Sequence, residues 1–216
     1  MSTKLSCFDL KCTLCPRLSQ FLTEQRAEYP DYHALPVPPF GVNKPGLLIV
    51  GLAPGMHGAN ATGRPFTGDY AGVLLYETLY KYGFSNKAES IASDDGLKLK
   101  KCRITNAVKC LPPQNKPTTD EIKQCNHFLV EELKTVPTKG VILVLGLIAH
   151  KAVLRACSLK IKDYPFVHNA CKQLPNGRWL LSSYHCSRYN TQTKRLTEKM
   201  FHDVFAVAKK KLAKPA

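Results

Sequence analysis

The chain has 216 residues, and its 31 Lys+Arg against 16 Asp+Glu give a formal charge of +15. With 44% hydrophobic residues it can bury a real core, which excludes disorder for the bulk of it. The longest apolar run, Val141 to Ala149, falls short of the roughly 20 residues a membrane-spanning helix needs, and the first residues lack the apolar stretch of a signal peptide, so an intracellular, cytoplasmic protein is expected.

The predicted elements alternate strand and helix. Pro16 follows the Cys12–Cys15 pair at once and can open a helix. Pro30 to Pro45, with five prolines, reads as an irregular connection. LLIVGL, Leu47 to Leu52, is the first buried strand. Ala71, Leu74, Leu75, Thr78, Leu79 and Tyr82 recur at helical spacing, with Gly83 as the stop. Ser85 to Lys101 is polar and reads as a surface excursion. RITNAV, Arg103 to Val108, is the second strand. Thr118 with Glu121 forms a capping-box pattern ahead of Ile122, Cys125, Leu129 and Leu133. VILVLG, Val141 to Gly146, is the clearest strand, followed by a helix over Ala149 to Cys157. RWLLSSY, Arg178 to Tyr184, is the fourth strand. Thr197 caps a last helix carrying Met200, Val204, Phe205, Ala208 and Leu212, and Lys209 to Lys211 read as a solvated basic tail.

Continuous apolar strands between helices predict an α/β fold. The expectation is a three-layer α/β/α sandwich with a central four-stranded, mainly parallel sheet, as one domain over residues 1–216. Ligands in such folds sit beyond the carboxyl ends of the strands, which directs attention to the loops after Leu52, Val108, Gly146 and Tyr184. The excess positive charge points to a polyanionic partner, nucleic acid first.

In a reducing compartment the nine cysteines are not a disulfide framework. Cys12 and Cys15, close together, with the distant Cys110 and Cys125, can make a four-thiolate site suited to zinc or an iron–sulfur cluster. Free cysteines in a reducing compartment are the alternative. Cys7, Cys102, Cys157 and Cys171 read as small packing or surface residues.

The stretch GLAPGMHGANATGRPFTGD, Gly51 to Asp69, is glycine-rich and directly follows a buried strand, so its backbone N–H groups can approach an anion. It matches neither a Walker A loop nor a dinucleotide fingerprint. It resembles the first motif of the uracil-DNA glycosylase superfamily, specifically the type B, or family 5, enzymes. The resemblance continues in family order through TNAVKCLPPQNKPT (Thr105 to Thr118), VLGLIAHKAVLRA (Val144 to Ala156) and SSYHCSRYNTQTKRLT (Ser182 to Thr197).

That resemblance implies a monofunctional DNA glycosylase, a monomer with no membrane partner, that flips uracil or another deaminated base such as hypoxanthine out of DNA and hydrolyses its N-glycosidic bond. It implies that Phe66 stacks on the base and that the backbone at Gly51, Ala53 and Gly55 approaches it. Asn106 would read the pyrimidine edge, since an amide can accept from N3–H and donate to O4 together. His185 would contact O2 and stabilise the departing anion. Asp69 would position water or stabilise the cationic sugar; it equally suits the N-cap of the helix that starts near Tyr70. Arg188 and Tyr189 stand where the family fills the hole left in the base stack, although phosphate or packing contacts would suit them too. Cys12, Cys15, Cys110 and Cys125 would hold a [4Fe–4S] cluster. Leu52 and Ala53 replace an acidic residue of other branches, which favours type B. His185-Cys186-Ser187 departs from the family's His-Pro-Ser, freeing φ at position 186 and adding a backbone donor. The competing expectation is a cluster- or zinc-stapled nucleic-acid-binding protein that cuts nothing.

Overall fold

The computed structural model describes residues 8–213; the expectation for Cys7 lies outside them. In chain order the elements are α1 (Pro16–Glu28), β1 (Phe40–Gly41), β2 (Leu47–Gly51), α2 (Ala59–Thr62), α3 (Tyr70–Lys81), β3 (Cys102–Asn106), α4 (Thr119–Lys134), β4 (Val141–Leu145), α5 (Leu147–Ala156), β5 (Cys171–Gln173), β6 (Trp179–Ser183), α6 (Arg188–Gln192) and α7 (Glu198–Leu212).

The sheet order is β1-β3-β2-β4-β6-β5. The four predicted strands form its parallel centre, in the register Leu47↔Cys102, Leu47↔Val141 and Val141↔Trp179. The expected four-stranded sheet is corrected to six, because β1 and β5 add antiparallel edges. These edges span only two and three residues. Segments so short carry no periodicity, and their pairing is imposed by the strand beside them.

Alternation along the central strands divides the core. Leu47, Ile49, Val141 and Leu143 face one side, where Leu75, Leu79, Phe201 and Phe205 of α3 and α7 cover them. Leu48, Val50, Ile142 and Val144 face the other, under Leu129, Leu133, Ala152 and Val153 of α4 and α5. Strands buried on both faces need apolar residues throughout, which is why they read as continuous hydrophobic runs. The result is the expected three-layer sandwich.

Local signals set the helix ends. Thr118 Oγ1 accepts from the Glu121 N–H and the Glu121 carboxylate accepts from the Thr118 N–H, completing the capping box of α4. Pro16 occupies the first turn of α1, and Thr197 caps α7 through the Met200 N–H. Helix α5 starts at Leu147, two residues earlier than expected, because Gly146 at φ +96° turns the chain directly out of β4. Lys209 to Lys211 belong to the last turn of α7 and not to a tail. Cations there complement the free carbonyls at the helix's negative end.

Residues 85–101 are less superficial than their polarity implied: Leu97 and Leu99 are buried, and Ser85 bridges Leu99. Arg64 pins this excursion to the glycine-rich loop by pairing with Asp95 at 2.8 Å. Burial alone would raise the Asp95 carboxyl, but Arg64 and the N–H groups of Leu97, Ile91 and Ala92 outweigh it and hold it at about 2. No helix among the described residues is long and apolar enough to cross a membrane.

Candidate functional site

The carboxyl ends of β2, β3 and β6 open into one pocket. Phe66, Asp69, Asn106 and His185 line it together, with Leu52, Ala53, Gly55 and Ser187. Residues drawn from three distant sequence blocks therefore meet at one cavity. The backbone bonds Ala107 N–H to Gly51 O and Val108 N–H to Leu52 O, both 2.9 Å, carry the β2–β3 pairing past the strand ends and hold the pocket floor.

Asn106 is the last residue of β3 and is 4% exposed. Its Oδ1 is buried and, among the described residues, has no hydrogen-bond partner. A Cβ built at Gly51 would come within 2.4 Å of that oxygen and 2.7 Å of Phe66 Cζ. Only glycine at position 51 leaves room for both the amide and the ring.

Phe66 is buried and held at φ +56°, a left-handed backbone that bulky residues rarely adopt. Three contacts over-determine it. Gly72 leaves room for the Phe66 carbonyl, which would lie 1.9 Å from a Cβ there. Tyr76 Oη donates to Pro65 O at 2.8 Å. The Arg64–Asp95 pair fixes the chain just upstream. Strain maintained in this way is typical of ligand clamps. The Phe66 ring lies 5.8 Å from the His185 ring with 27° between their planes.

His185 follows β6 on the pocket wall. Burial pushes its imidazole down to about 4, so it is neutral at ordinary pH. Among the described residues neither ring nitrogen has a hydrogen-bond partner, and the Asn190 amide fixes the backbone by donating to His185 O at 2.8 Å. A neutral imidazole with a free N–H is a hydrogen-bond donor without a charge.

Asp69 is the N-cap of α3: Oδ1 accepts from the Gly72 N–H at 2.8 Å. The other oxygen, Oδ2, is 2.7 Å from where a Cβ at Gly58 would stand and 3.6 Å from one at Gly55. Burial raises its carboxyl, partly offset by the Gly72 and Ala71 N–H groups. Capping occupies one oxygen and leaves the other toward the glycine loop, so the two roles weighed for Asp69 are geometrically compatible.

Arg188 and Tyr189 do not line the pocket. They open α6, capped by Ser187, where the sequence suggested a loop. Arg188 packs 5.1 Å over the Tyr70 ring, and Tyr189 is 71% exposed. Cys186 is fully buried, its Sγ donating to Ala71 O at 3.4 Å. Packing against α3 restrains this position in place of a proline ring.

The four predicted cysteines also converge. Cys12, Cys15, Cys110 and Cys125 line one small cavity with Leu18, Val108 and Phe128. Burial, then the negative charge of Cys125 and other neighbours, raises Cys15 to about 11; burial, then Cys125, Cys12 and Cys15, raises Cys110 to about 12. Thiolates so placed repel one another and favour a bound cationic centre. The Lys109 N–H donates to Cys125 Sγ at 3.3 Å, and Arg17 grips Glu121 with two 2.8 Å bonds, tying α1 to α4 beside the cavity. Among the described residues, no three Cys, His, Asp or Glu side chains close on a single ion position.

Two residues escaped sequence reasoning. Asn115 lines the pocket from the loop after β3, held at φ +57°; its only signal was its place after Pro112-Pro113. Lys109, to which the sequence assigned no role, is 1% exposed. Its ammonium is bonded to Glu132 and to Thr105 Oγ1 beneath Asn106.

Comparison with known proteins adds to this geometry. Residues 38–209 match the model of the family described as the uracil DNA glycosylase superfamily. A type-5 uracil-DNA glycosylase of Thermus thermophilus is 47% identical over 204 residues, covering 92% of this chain and 93% of that protein. One of Pyrobaculum aerophilum is 39% identical, covering 90% and 86%. A type-4 enzyme of the same organism is 34% identical, but only over 66% of this chain and 65% of its own length.

Proposed function

The chain belongs to the type-5 branch of the uracil-DNA glycosylase superfamily, and on that premise we propose that it removes uracil from DNA by hydrolysing the N-glycosidic bond. It acts as a monofunctional enzyme, a monomer built as a single domain. The observation that carries this reading is the partnerless Asn106 Oδ1. A buried unsatisfied oxygen costs about 1–3 kcal/mol, and N3–H of a flipped uracil supplies the donor it lacks. The amide N–H₂ then faces O4. Cytosine, lacking N3–H, leaves Oδ1 unsatisfied and is rejected as long as the amide keeps this orientation. Hypoxanthine presents the same edge, N1–H beside O6, so a deaminated purine stays within the proposal.

The flipped base stacks on Phe66. As the bond breaks, negative charge gathers on the base, and the neutral His185 donates to O2 where that charge grows. The sugar becomes oxocarbenium-like. Asp69, through the oxygen its cap leaves free, holds the attacking water and faces the cationic carbon. Gly51, Ala53 and Gly55 bring backbone close to the substrate. Arg188 and the exposed Tyr189 follow the pocket-lining Ser187 and would enter the duplex where the base has left; the exposure of Tyr189 supports that reading.

Cys12, Cys15, Cys110 and Cys125 would hold a [4Fe–4S] cluster, which when bound supplies a tie between the N-terminal segment, the loop after β3 and α4. The apolar lining and the N–H donated to Cys125 suit such a centre. Purified protein is expected to show the broad visible absorbance of thiolate-bound iron, and Cys15→Ser to lose it. A colourless parent containing zinc would overturn this assignment.

The enzymatic reading is tested with a labelled oligonucleotide carrying one uracil, followed by alkaline cleavage of abasic sites. The parent is expected to cleave at the uracil, and Asn106→Ala to lose at least about 100-fold of that rate. No cleavage at uracil or hypoxanthine would leave the nucleic-acid-binding alternative standing.

A further inference from the structure

The opposite end of the sheet carries a second cleft. It lies at the amino ends of the parallel strands, where Gly46 precedes β2, Lys101 precedes β3 and Gly140 precedes β4. Five-residue strands rising about 3.3 Å per residue separate it from the catalytic pocket by roughly 16 Å. Its volume is about 690 Å³, and among the described residues five lysines line it, Lys100, Lys101, Lys139, Lys209 and Lys211, with no acidic residue beside them.

Helix electrostatics account for part of this cluster. Lys209 and Lys211 complement the negative end of α7, and Lys211 sits 3.3 Å over the Trp179 ring. Lys100, Lys101 and Lys139 come from two other loops and have no such reason to be there. Among the described residues, none of the three has an anionic partner. Lys101 at φ +53° and Lys139 at φ +69° occupy left-handed backbone that glycine or asparagine enters more readily. Like charges gathered at such turns repel one another, and an anion in the cleft would relieve that repulsion more than solvent screening does.

We propose that this cleft is a second site for a DNA phosphate backbone, so that one molecule holds a second duplex segment while the catalytic pocket engages the first. The choice of DNA as the polyanion rests on the glycosylase reading; the site itself does not. An open cleft lined by ammonium groups fits a phosphodiester chain, which needs charge without base readout. A molecule gripping two segments can pass between them without dissociating.

The test uses the full chain and two short uracil-free duplexes, one labelled with a donor and one with an acceptor dye. The parent is expected to bring them together and raise energy transfer. Lys100→Gln/Lys101→Gln/Lys139→Gln is expected to abolish that signal while releasing uracil from a short duplex within about twofold of the parent rate. Its non-specific affinity should fall less steeply with salt, the log–log slope dropping by about 2–3 because three lysines no longer neutralise phosphates. The charge-matched control Lys123→Gln/Lys134→Gln/Lys199→Gln removes exposed helix lysines already paired with carboxylates and should keep the bridging. No bridging by the parent, equal bridging by the triple variant, or equal loss in the control would each overturn the proposal. Displacement of the second duplex by inorganic triphosphate at concentrations too low to affect the first would overturn it too, assigning the cleft to a small polyphosphate. A parent that bridges duplexes but releases no uracil would defeat the glycosylase reading and leave this one intact.

Discussion

His185→Ala is expected to lower the single-turnover rate of uracil release by about 100- to 1,000-fold, the usual cost of losing one donor to a developing anion. Folding should be little affected, because the imidazole makes no hydrogen bond among the described residues and the backbone is held independently by Asn190. The pH dependence carries further information. Burial lowers the imidazole to about 4, so the neutral donor persists throughout the range from about 5 upward. His185 therefore contributes no limb to the rate profile near neutrality. In the proposed mechanism the acid limb belongs to Asp69, whose raised carboxyl would have to ionise before holding water or facing the sugar. Rate should climb with pH through that elevated value, and Asp69→Asn should flatten the limb as well as slow the reaction. His185 also links to stability. An unfolded imidazole takes up its proton near 6.5, whereas the folded one refuses it until about 4. Stability is therefore full above about 6.5 and falls between about 6.5 and 4. The alanine variant should lose that slope. A His185→Ala enzyme with nearly parental rates would remove the histidine from the mechanism.

The second large effect is on stability. Glu132→Ala is expected to cost about 3–5 kcal/mol, the range for stripping one partner from a buried ion pair, and to lower Tm by roughly 10 °C. The Lys109 and Glu132 side chains are 1% and 3% exposed and in direct contact. Thr105 Oγ1 donates to Glu132 Oε1 at 3.0 Å, and Arg103 Nε stands 3.9 Å from Oε2. Without the carboxylate, Lys109 keeps only a neutral hydroxyl as partner for a buried charge. The damage should spread to the pocket, since Thr105 adjoins Asn106 and the Lys109 N–H serves Cys125. Glu131→Ala, which breaks the exposed pair with Lys134 on the same helix, should change stability by less than about 1 kcal/mol. Thermal unfolding of the two variants side by side makes the comparison, and equal midpoints would show that the buried charges are not coupled.

Individual elements differ in how far they could be read in advance. The central strands were legible because burial on both faces demands unbroken apolar runs such as Val141 to Leu145. The ends of α3, α4 and α7 were legible because capping is a local bargain between a side chain and N–H groups two or three residues on. The edge strands were not, since Phe40–Gly41 and Cys171–Gln173 owe their form to partners far along the chain. Short α6 likewise follows from Ser187 acting as a cap where the resemblance suggested a loop.

Residue order was enough to specify the parallel α/β plan and the branch of the superfamily, and to nominate Phe66, Asp69, Asn106 and His185, which lie in recognisable blocks, and four cysteines as candidate site residues. Which atoms are left without partners, and which charges are buried, emerged only from the packed chain. Gly51 proves to be the gap between Asn106 and Phe66. Lys109 sits in the core against Glu132, Asn115 reaches the pocket, and Lys100, Lys101 and Lys139 share a cleft at the far end of the sheet. Local pattern encodes backbone preference and face, which depend on near neighbours. Desolvation and charge pairing depend on distance in space, and distance is set only when the layers close.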